Sequence, residues 1–200
     1  MTRVLEVDGA LDALATGGVV GVPTDTVYGL AASLVHPLAV AALFTLKGRP
    51  TTVALPVLVS SIGQIEELGV TWTRRARVLS DAFWPGALTV VVAVPSTLST
   101  LVGSSNDTVG FRCPDDELLL KLLERSGPLA LTSANTHGKR PCESAAQLLE
   151  AFGGRNELNG VVDGGRRTGD VSTVVDISQP EWRIARQGAT SAAALSVLLD

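Results

Sequence analysis

Leu129-Ala-Leu-Thr-Ser-Ala-Asn135 reads as a short buried strand, Leu129–Leu131, that runs out into a polar cluster, Thr132–Asn135. Polar groups at strand ends in open α/β sheets line the ligand crevice. Ser133 and Asn135 are therefore expected to project into one. The bland alternative is that Asn135 serves only a turn, since asparagine tolerates left-handed backbone and caps helices. A second cluster, Lys47-Gly-Arg-Pro50, sits about 85 residues upstream and sets two cations beside a flexible glycine and a rigid proline. Cations are also favoured at an exposed helix end. If a fold brings the two clusters together, fixed cations and neutral hydrogen-bonders suit an anionic ligand, most simply a nucleotide phosphate.

Outward from these clusters, strands and helices mix along the whole chain. Helices are expected from Asp8 or Gly9 to Gly17-Gly18, over Pro37–Leu46, from Ser60 or Ser61 to Leu68, and from Thr71 or Thr73 to about Phe83. Others follow Asp115-Asp116-Glu117, Ser144 and Ser191. Strands are expected at Val19–Val22, Pro56–Val59, Leu88–Val94, Thr108–Arg112, Val161-Val162, Ser172–Ile177 and Trp182–Ala185. Pro23–Leu30 reads as a polar turn and Pro95–Asn106 as a loop. Helices do not join every pair of strands, so the expectation is one α/β domain over residues 1–200, with a twisted, open, mixed sheet and flanking helices.

Composition narrows the function. Apolar residues make up 46% of the 200 and charged residues 18%, with a net charge of −4. A broad basic nucleic-acid footprint is excluded, although a local one is not. Cys113 and Cys142 form no CxxC pair and read as reduced thiols. His36 and His137 have no metal-ligand spacing, so no protein metal site is expected. No stretch reads as a membrane span, and the N-terminus lacks a signal-peptide layout, so the expected location is cytoplasmic. The GxSxG elbow, the GxxxxGK[ST] loop and the GxGxxG fingerprint are all missing. The turn Gly164–Gly169, with Arg166 and Arg167, suits either a phosphate approach or a mobile surface loop.

A series of motifs follows in fixed order: Pro23-Thr-Asp-Thr-Val-Tyr-Gly-Leu30, Lys47-Gly-Arg-Pro50, Trp84-Pro-Gly-Ala-Leu-Thr89, Val109-Gly-Phe-Arg-Cys-Pro114, Thr132-Ser-Ala-Asn135, Val162-Asp-Gly-Gly165, Ser172-Thr-Val-Val-Asp176 and Arg186-Gln-Gly188. The series resembles the YrdC-like family of threonylcarbamoyl-AMP synthases, in its short single-domain form. The resemblance implies a YrdC-like fold with a positively lined cavity. It implies a reaction of L-threonine, bicarbonate and ATP, the ATP carrying Mg²⁺. A downstream threonylcarbamoyl transferase would then modify adenosine 37 of tRNA.

The resemblance also implies residue roles. Thr24 and Tyr28 match positions near the threonine moiety, and Arg112 an arginine facing its carboxylate. Lys47 and Arg49 match cations that face carboxylate and phosphate groups. Thr132, Ser133 and Asn135 match a cluster touching nucleotide and carbamoyl groups. Ser172 and Arg186 match positions beside the phosphate or sugar. Asp25 departs from a commoner glutamate, Leu58 from a histidine of many long members, and His137 from a small polar residue. Two rival readings stand beside this one. One is a double-stranded RNA-binding or regulatory YciO-like protein without synthase activity; weak RNA binding is also open to a synthase. The other is a carbamoyl-adenylate enzyme with a different acceptor.

Overall fold

The computed structural model describes residues 3–48, 54–136 and 138–199. In chain order its elements are β1 (Val4–Leu5), α1 (Val7–Ala15), β2 (Val19–Val22), β3 (Gly29–Ser33), α2 (Pro37–Lys47), β4 (Val57–Leu58), α3 (Ile62–Glu67), α4 (Arg74–Phe83) and β5 (Leu88–Ala93). Next come α5 (Ser96–Leu101), β6 (Thr108–Arg112), α6 (Glu117–Ser126), β7 (Leu129–Ser133), α7 (Ala145–Phe152), β8 (Leu158–Val162), β9 (Thr173–Asp176), β10 (Arg183–Arg186) and α8 (Ala192–Leu199).

Helix starts follow their caps. The side chains of Ser61, Thr73, Asp116 and Ser144 each accept a backbone N–H from the first turn of α3, α4, α6 and α7. Each such cap stabilises its helix by about 1 kcal/mol. Pro37 opens α2 with φ already set for a helix, and Gly48 closes it at φ 60° in the left-handed region.

The ten strands form one open sheet in the order β1-β8-β2-β3-β7-β4-β6-β5-β9-β10. The sheet is mixed: the pairs β2–β3, β3–β7 and β7–β4 are antiparallel, whereas β8–β2, β4–β6 and β5–β9 are parallel. Alternation along the strands divides the core in two. Val20, Val22, Ala31, Leu129 and Leu131 face α1 and α6, where Leu14, Leu119, Leu122 and Leu123 meet them. Full burial of each such leucine contributes about 1.5–3 kcal/mol. Val19, Leu30, Ala32, Val57 and Ala130 face the other way, into a larger core that continues through Val90, Phe111 and Val175 to α4 and α8.

The smaller core ends at Leu58. On the same face, the positions in register beyond it are Arg112 beside Leu58, Gly110 beside Val91, and Thr89 beside Val174. These line a cavity instead of a helix-covered core. The half of the sheet left uncovered by α1 and α6 is thus where the site lies.

Three expectations need correction. The turn after β2 ends at Tyr28, and Gly29–Ser33 is a strand between β2 and β7. Its sequence, Gly-Leu-Ala-Ala-Ser, has little intrinsic strand preference, so pairing on both sides imposes it. Leu131 occupies the space beside Gly29, where a Cβ would stand 2.7 Å from Leu131 Cδ2 and the leucine would have to shift. The stretch read as a loop from Pro95 contains α5, which buries Leu98. Strand β8 begins at Leu158, three residues before the expected Val161. No helix among the described residues is long and apolar enough to cross a membrane.

Candidate active site

The cavity has a volume of about 530 Å³. Helix α2 delivers the first group to it. The left-handed turn at Gly48 ends the helix just after Lys47, whose side chain turns inward and is only 7% exposed. Lys47 Nζ donates to Ser133 Oγ at 2.7 Å, to the Ser133 carbonyl at 3.1 Å and to Asn135 Oδ1 at 3.1 Å. Ser133 Oγ in turn donates to Asn135 Oδ1 at 2.7 Å. The Asn135 amide is fixed by its Nδ2, which donates to the carbonyls of Thr136 and Lys139. The two clusters that stand far apart in the chain are therefore one hydrogen-bonded unit at the end of β7. Arg49, the second expected cation, lies outside the described residues.

Strand β6 delivers Arg112. Its Nη2 lies 2.6 Å from both carboxylate oxygens of Asp25, and its Nε donates to the Gly86 carbonyl at 2.9 Å. The pair is nearly closed off, with side chains 8% and 14% exposed. Burial pulls the Arg112 guanidinium below its ordinary pKa, and the Asp25 charge offsets part of that pull. An arginine remains charged nonetheless. The turn that carries Asp25 is held by Thr24. Its hydroxyl donates to the Val27 carbonyl at 2.6 Å, accepts the backbone N–H groups of Thr26 and Val27, and meets Thr26 Oγ1 at 2.9 Å. This local hydroxyl-to-backbone pattern explains why a Thr-Asp-Thr sequence makes a rigid turn.

Arg186, at the end of β10, donates from Nη2 to Ser172 Oγ at 2.9 Å and to the Ser172 carbonyl at 2.8 Å. Ser172 Oγ also meets Thr89 Oγ1 at 2.9 Å. Burial lowers the Arg186 pKa first, and the positive charge of Arg112 lowers it further. Two arginines thus repel each other across the cavity, and an anion between them would relieve the repulsion. Arg183 lines the same wall and is paired with Asp176 at 3.0 Å. Asp25 and Asp176 offset Arg112 and Arg183, so the excess positive charge at the cavity comes from Arg186 in its wall and from Lys47 behind Ser133.

Of the residues expected from the sequence, Thr24, Tyr28, Arg112, Thr132, Ser133, Ser172 and Arg186 all line this cavity. Lys47 and Asn135 join it through Ser133. The Tyr28 hydroxyl is taken up inside the protein, donating to the Gly165 carbonyl at 2.8 Å and accepting the Gly164 N–H at 3.0 Å. Like that of Thr24, its hydrogen-bonding capacity is spent on the walls. Sequence reading missed the Asp25–Arg112 pair, the Thr89–Ser172 contact and the Asp176–Arg183 pair. The available signal was period-two alternation, which puts Val174 and Asp176 on one face of β9 and Ser172 just ahead of it on the same side. Among the described residues, no three His, Cys, Asp or Glu side chains come together to hold a metal ion.

Such a site can bind a polyanion and orient it against a neutral hydroxyl and amide. A family model, Sua5/YciO/YrdC, described as "Telomere recombination", matches residues 12–188. A relative from Pyrococcus abyssi named threonylcarbamoyl-AMP synthase is 39% identical over 168 residues, which are 83% of this chain and 48% of that protein. This chain thus spans about half the length of that relative. The crystal structure of P. abyssi Sua5 complexed with L-threonine superposes with a TM-score of 0.89 at 32% identity, covering 99% of this chain and 60% of that one. The Escherichia coli YciO structure, at 19% identity and TM-score 0.82, covers 97% of both chains and shares the fold. The motif order, the sheet and the matched span converge, and the chain belongs to the Sua5/YciO/YrdC family.

Proposed function

We propose that this protein is a threonylcarbamoyl-AMP synthase, a nucleotidyltransferase that converts L-threonine, bicarbonate and ATP into threonylcarbamoyl-AMP and pyrophosphate. The observation that carries the reading is the Lys47–Ser133–Asn135 unit beside a cavity walled by Arg112 and Arg186. The names of relatives such as the P. abyssi protein, and the threonine complex of P. abyssi Sua5, support the choice of substrate.

In this reading the threonine amine and bicarbonate combine, with loss of water, into an N-carboxylate. One of its oxygens forms a bond to the α-phosphorus of ATP. The bond from that phosphorus to the bridging oxygen breaks, and pyrophosphate leaves. The nucleophile belongs to the substrate, so the protein's task is to bring anions together and hold them in line. Arg112 takes the threonine carboxylate. Lys47 and Arg49 face the N-carboxylate and the α-phosphate, where charge develops. Arg186 and Ser172 hold the phosphate or sugar of the nucleotide, and Thr132, Ser133 and Asn135 set its orientation. Thr24 and Tyr28 shape the threonine end. A fixed donor aimed at developing charge is worth about 3–4 kcal/mol of barrier. Mg²⁺ arrives on the ATP phosphates with most of its water and needs few protein ligands. The product goes to a separate transferase acting on adenosine 37 of tRNA, in the cytoplasm.

The test is to incubate purified protein with Mg²⁺-ATP, L-threonine and bicarbonate, and to measure pyrophosphate and the acyl-adenylate by mass. Product that requires all three substrates supports the reading. Folded protein that yields none, but binds double-stranded RNA with a steep salt dependence, overturns it in favour of the RNA-binding alternative.

A further inference from the structure

The segment 163–172, between β8 and β9, runs along the 24–28 turn as a strap whose last two residues, Val171 and Ser172, line the cavity, and it is not a loose loop. Gly165 and Gly164 are bonded to the Tyr28 hydroxyl. Gly169 N donates to the Thr26 carbonyl at 2.8 Å, and a Cβ at Gly169 would stand 2.5 Å from the Asp25 carbonyl oxygen. The strap therefore lies directly on the turn whose Asp25 carboxylate holds Arg112. Its middle is fastened elsewhere. Arg167 donates from Nε at 3.0 Å and Nη2 at 2.9 Å to Asp116 Oδ2. The other oxygen of the same carboxylate caps α6 by accepting Leu119 N–H at 3.0 Å. The Asp116 side chain is 4% exposed and that of Arg167 26%. One buried carboxylate thus ties the strap to the start of a helix that is packed into the smaller core.

We infer that Arg167, held by Asp116, is a positioning residue: it clamps the strap onto the Asp25–Thr26 turn and so fixes the Arg112 guanidinium in the cavity. Arg167 does not line the cavity. Its effect runs through backbone contacts and the Asp25 carboxylate. Two N–H groups of one planar guanidinium converge on Asp116 Oδ2 and so fix direction as well as distance, which a lysine ammonium does not.

Two measurements test the inference. The first does not depend on the proposed reaction. In Arg167→Gln, the Arg112 Nε–H and the Thr26 and Val27 amides should exchange with solvent at least about tenfold faster than in the wild type, while amides in the core of α6 keep their protection. The second rests on the synthase reading. KM for L-threonine should rise on the order of tenfold in Arg167→Gln, because the arginine that takes the carboxylate is displaced, with kcat changed far less. Arg167→Lys should recover only part of both effects. Unchanged exchange at Arg112 overturns the inference, as does a uniform loss of protection with no local change at the turn. A wild-type protein without synthase activity would sink the functional reading while leaving the exchange test intact.

Discussion

Replacing Ser133 by alanine separates orientation from anion binding. The hydroxyl accepts from Lys47 Nζ at 2.7 Å and donates to Asn135 Oδ1 at 2.7 Å. Its removal leaves the ammonium with the Ser133 carbonyl and Asn135 Oδ1, each at 3.1 Å. A hydrogen bond to a charged group contributes about 1.5–3 kcal/mol. With two acceptors remaining, the lower end applies, and the stability loss should be about 1.5 kcal/mol. For a domain of this size that lowers Tm by about 3–6 °C. The fold and the positive cavity persist, so affinity for ATP should change little. Turnover should fall on the order of 10²-fold, since a misplacement of about 1 Å at the attacking group is enough for that. Thermal denaturation gives the first quantity. Pyrophosphate release over a matrix of ATP and L-threonine concentrations gives kcat and KM for the second. Turnover at the wild-type level refutes the reasoning, and so does a loss confined to KM for ATP.

Further outcomes follow from the same geometry. Asp25→Asn leaves the Arg112 guanidinium buried without its counter-charge, and breaking such a pair costs about 3–5 kcal/mol, readable as a lowered urea midpoint. The Asp176 carboxyl is buried, which alone would raise its pKa, but hydrogen bonds from Ser178 and Arg183 hold it below the ordinary 3.8. Its contribution to stability is therefore present above about pH 4 and lost as pH falls through the folded value, and Asp176→Asn should flatten acid denaturation in that range. Burial, and then the Asp25 charge, push the Cys113 thiol up to about 11. Folded protein treated with iodoacetamide at pH 8 should stay unmodified there by mass, and react only once unfolded. Gly169→Ala should lower stability and disturb the 24–28 turn, since its new methyl meets the Asp25 backbone.

The sequence carried the fold wherever local chemistry spoke for itself. The hydroxyl residues Ser60 and Ser61, Thr71 and Thr73, and Ser144, with the acids Asp115–Glu117, announce their helices, which the structure caps at Ser61, Thr73, Ser144 and Asp116, and the β-branched run at Leu88–Val94 announces the strand Leu88–Ala93. It failed at Gly29–Ser33, where pairing with two neighbours overrides weak propensity. The site was legible as a set of residues, because the motif order places Lys47 and Ser133 in known company. How they meet was not. That Lys47 turns inward depends on the Gly48 turn, and that Arg112 shares its charge with Asp25 depends on β6 lying beside a turn 87 residues away in the chain. Gly164–Gly169 read as either a phosphate approach or a mobile surface loop because its anchors, Asp116 and Tyr28, are remote in sequence.

The most direct test of the central claim is a crystal structure of the protein with L-threonine and a non-hydrolysable ATP analogue. The account predicts both ligands in the cavity, the threonine carboxylate on Arg112 and the α-phosphate within hydrogen-bond reach of the Lys47–Ser133–Asn135 unit. A nucleotide bound elsewhere, or an amino acid whose carboxylate leaves Arg112 untouched while Asp25 keeps it, would contradict the account.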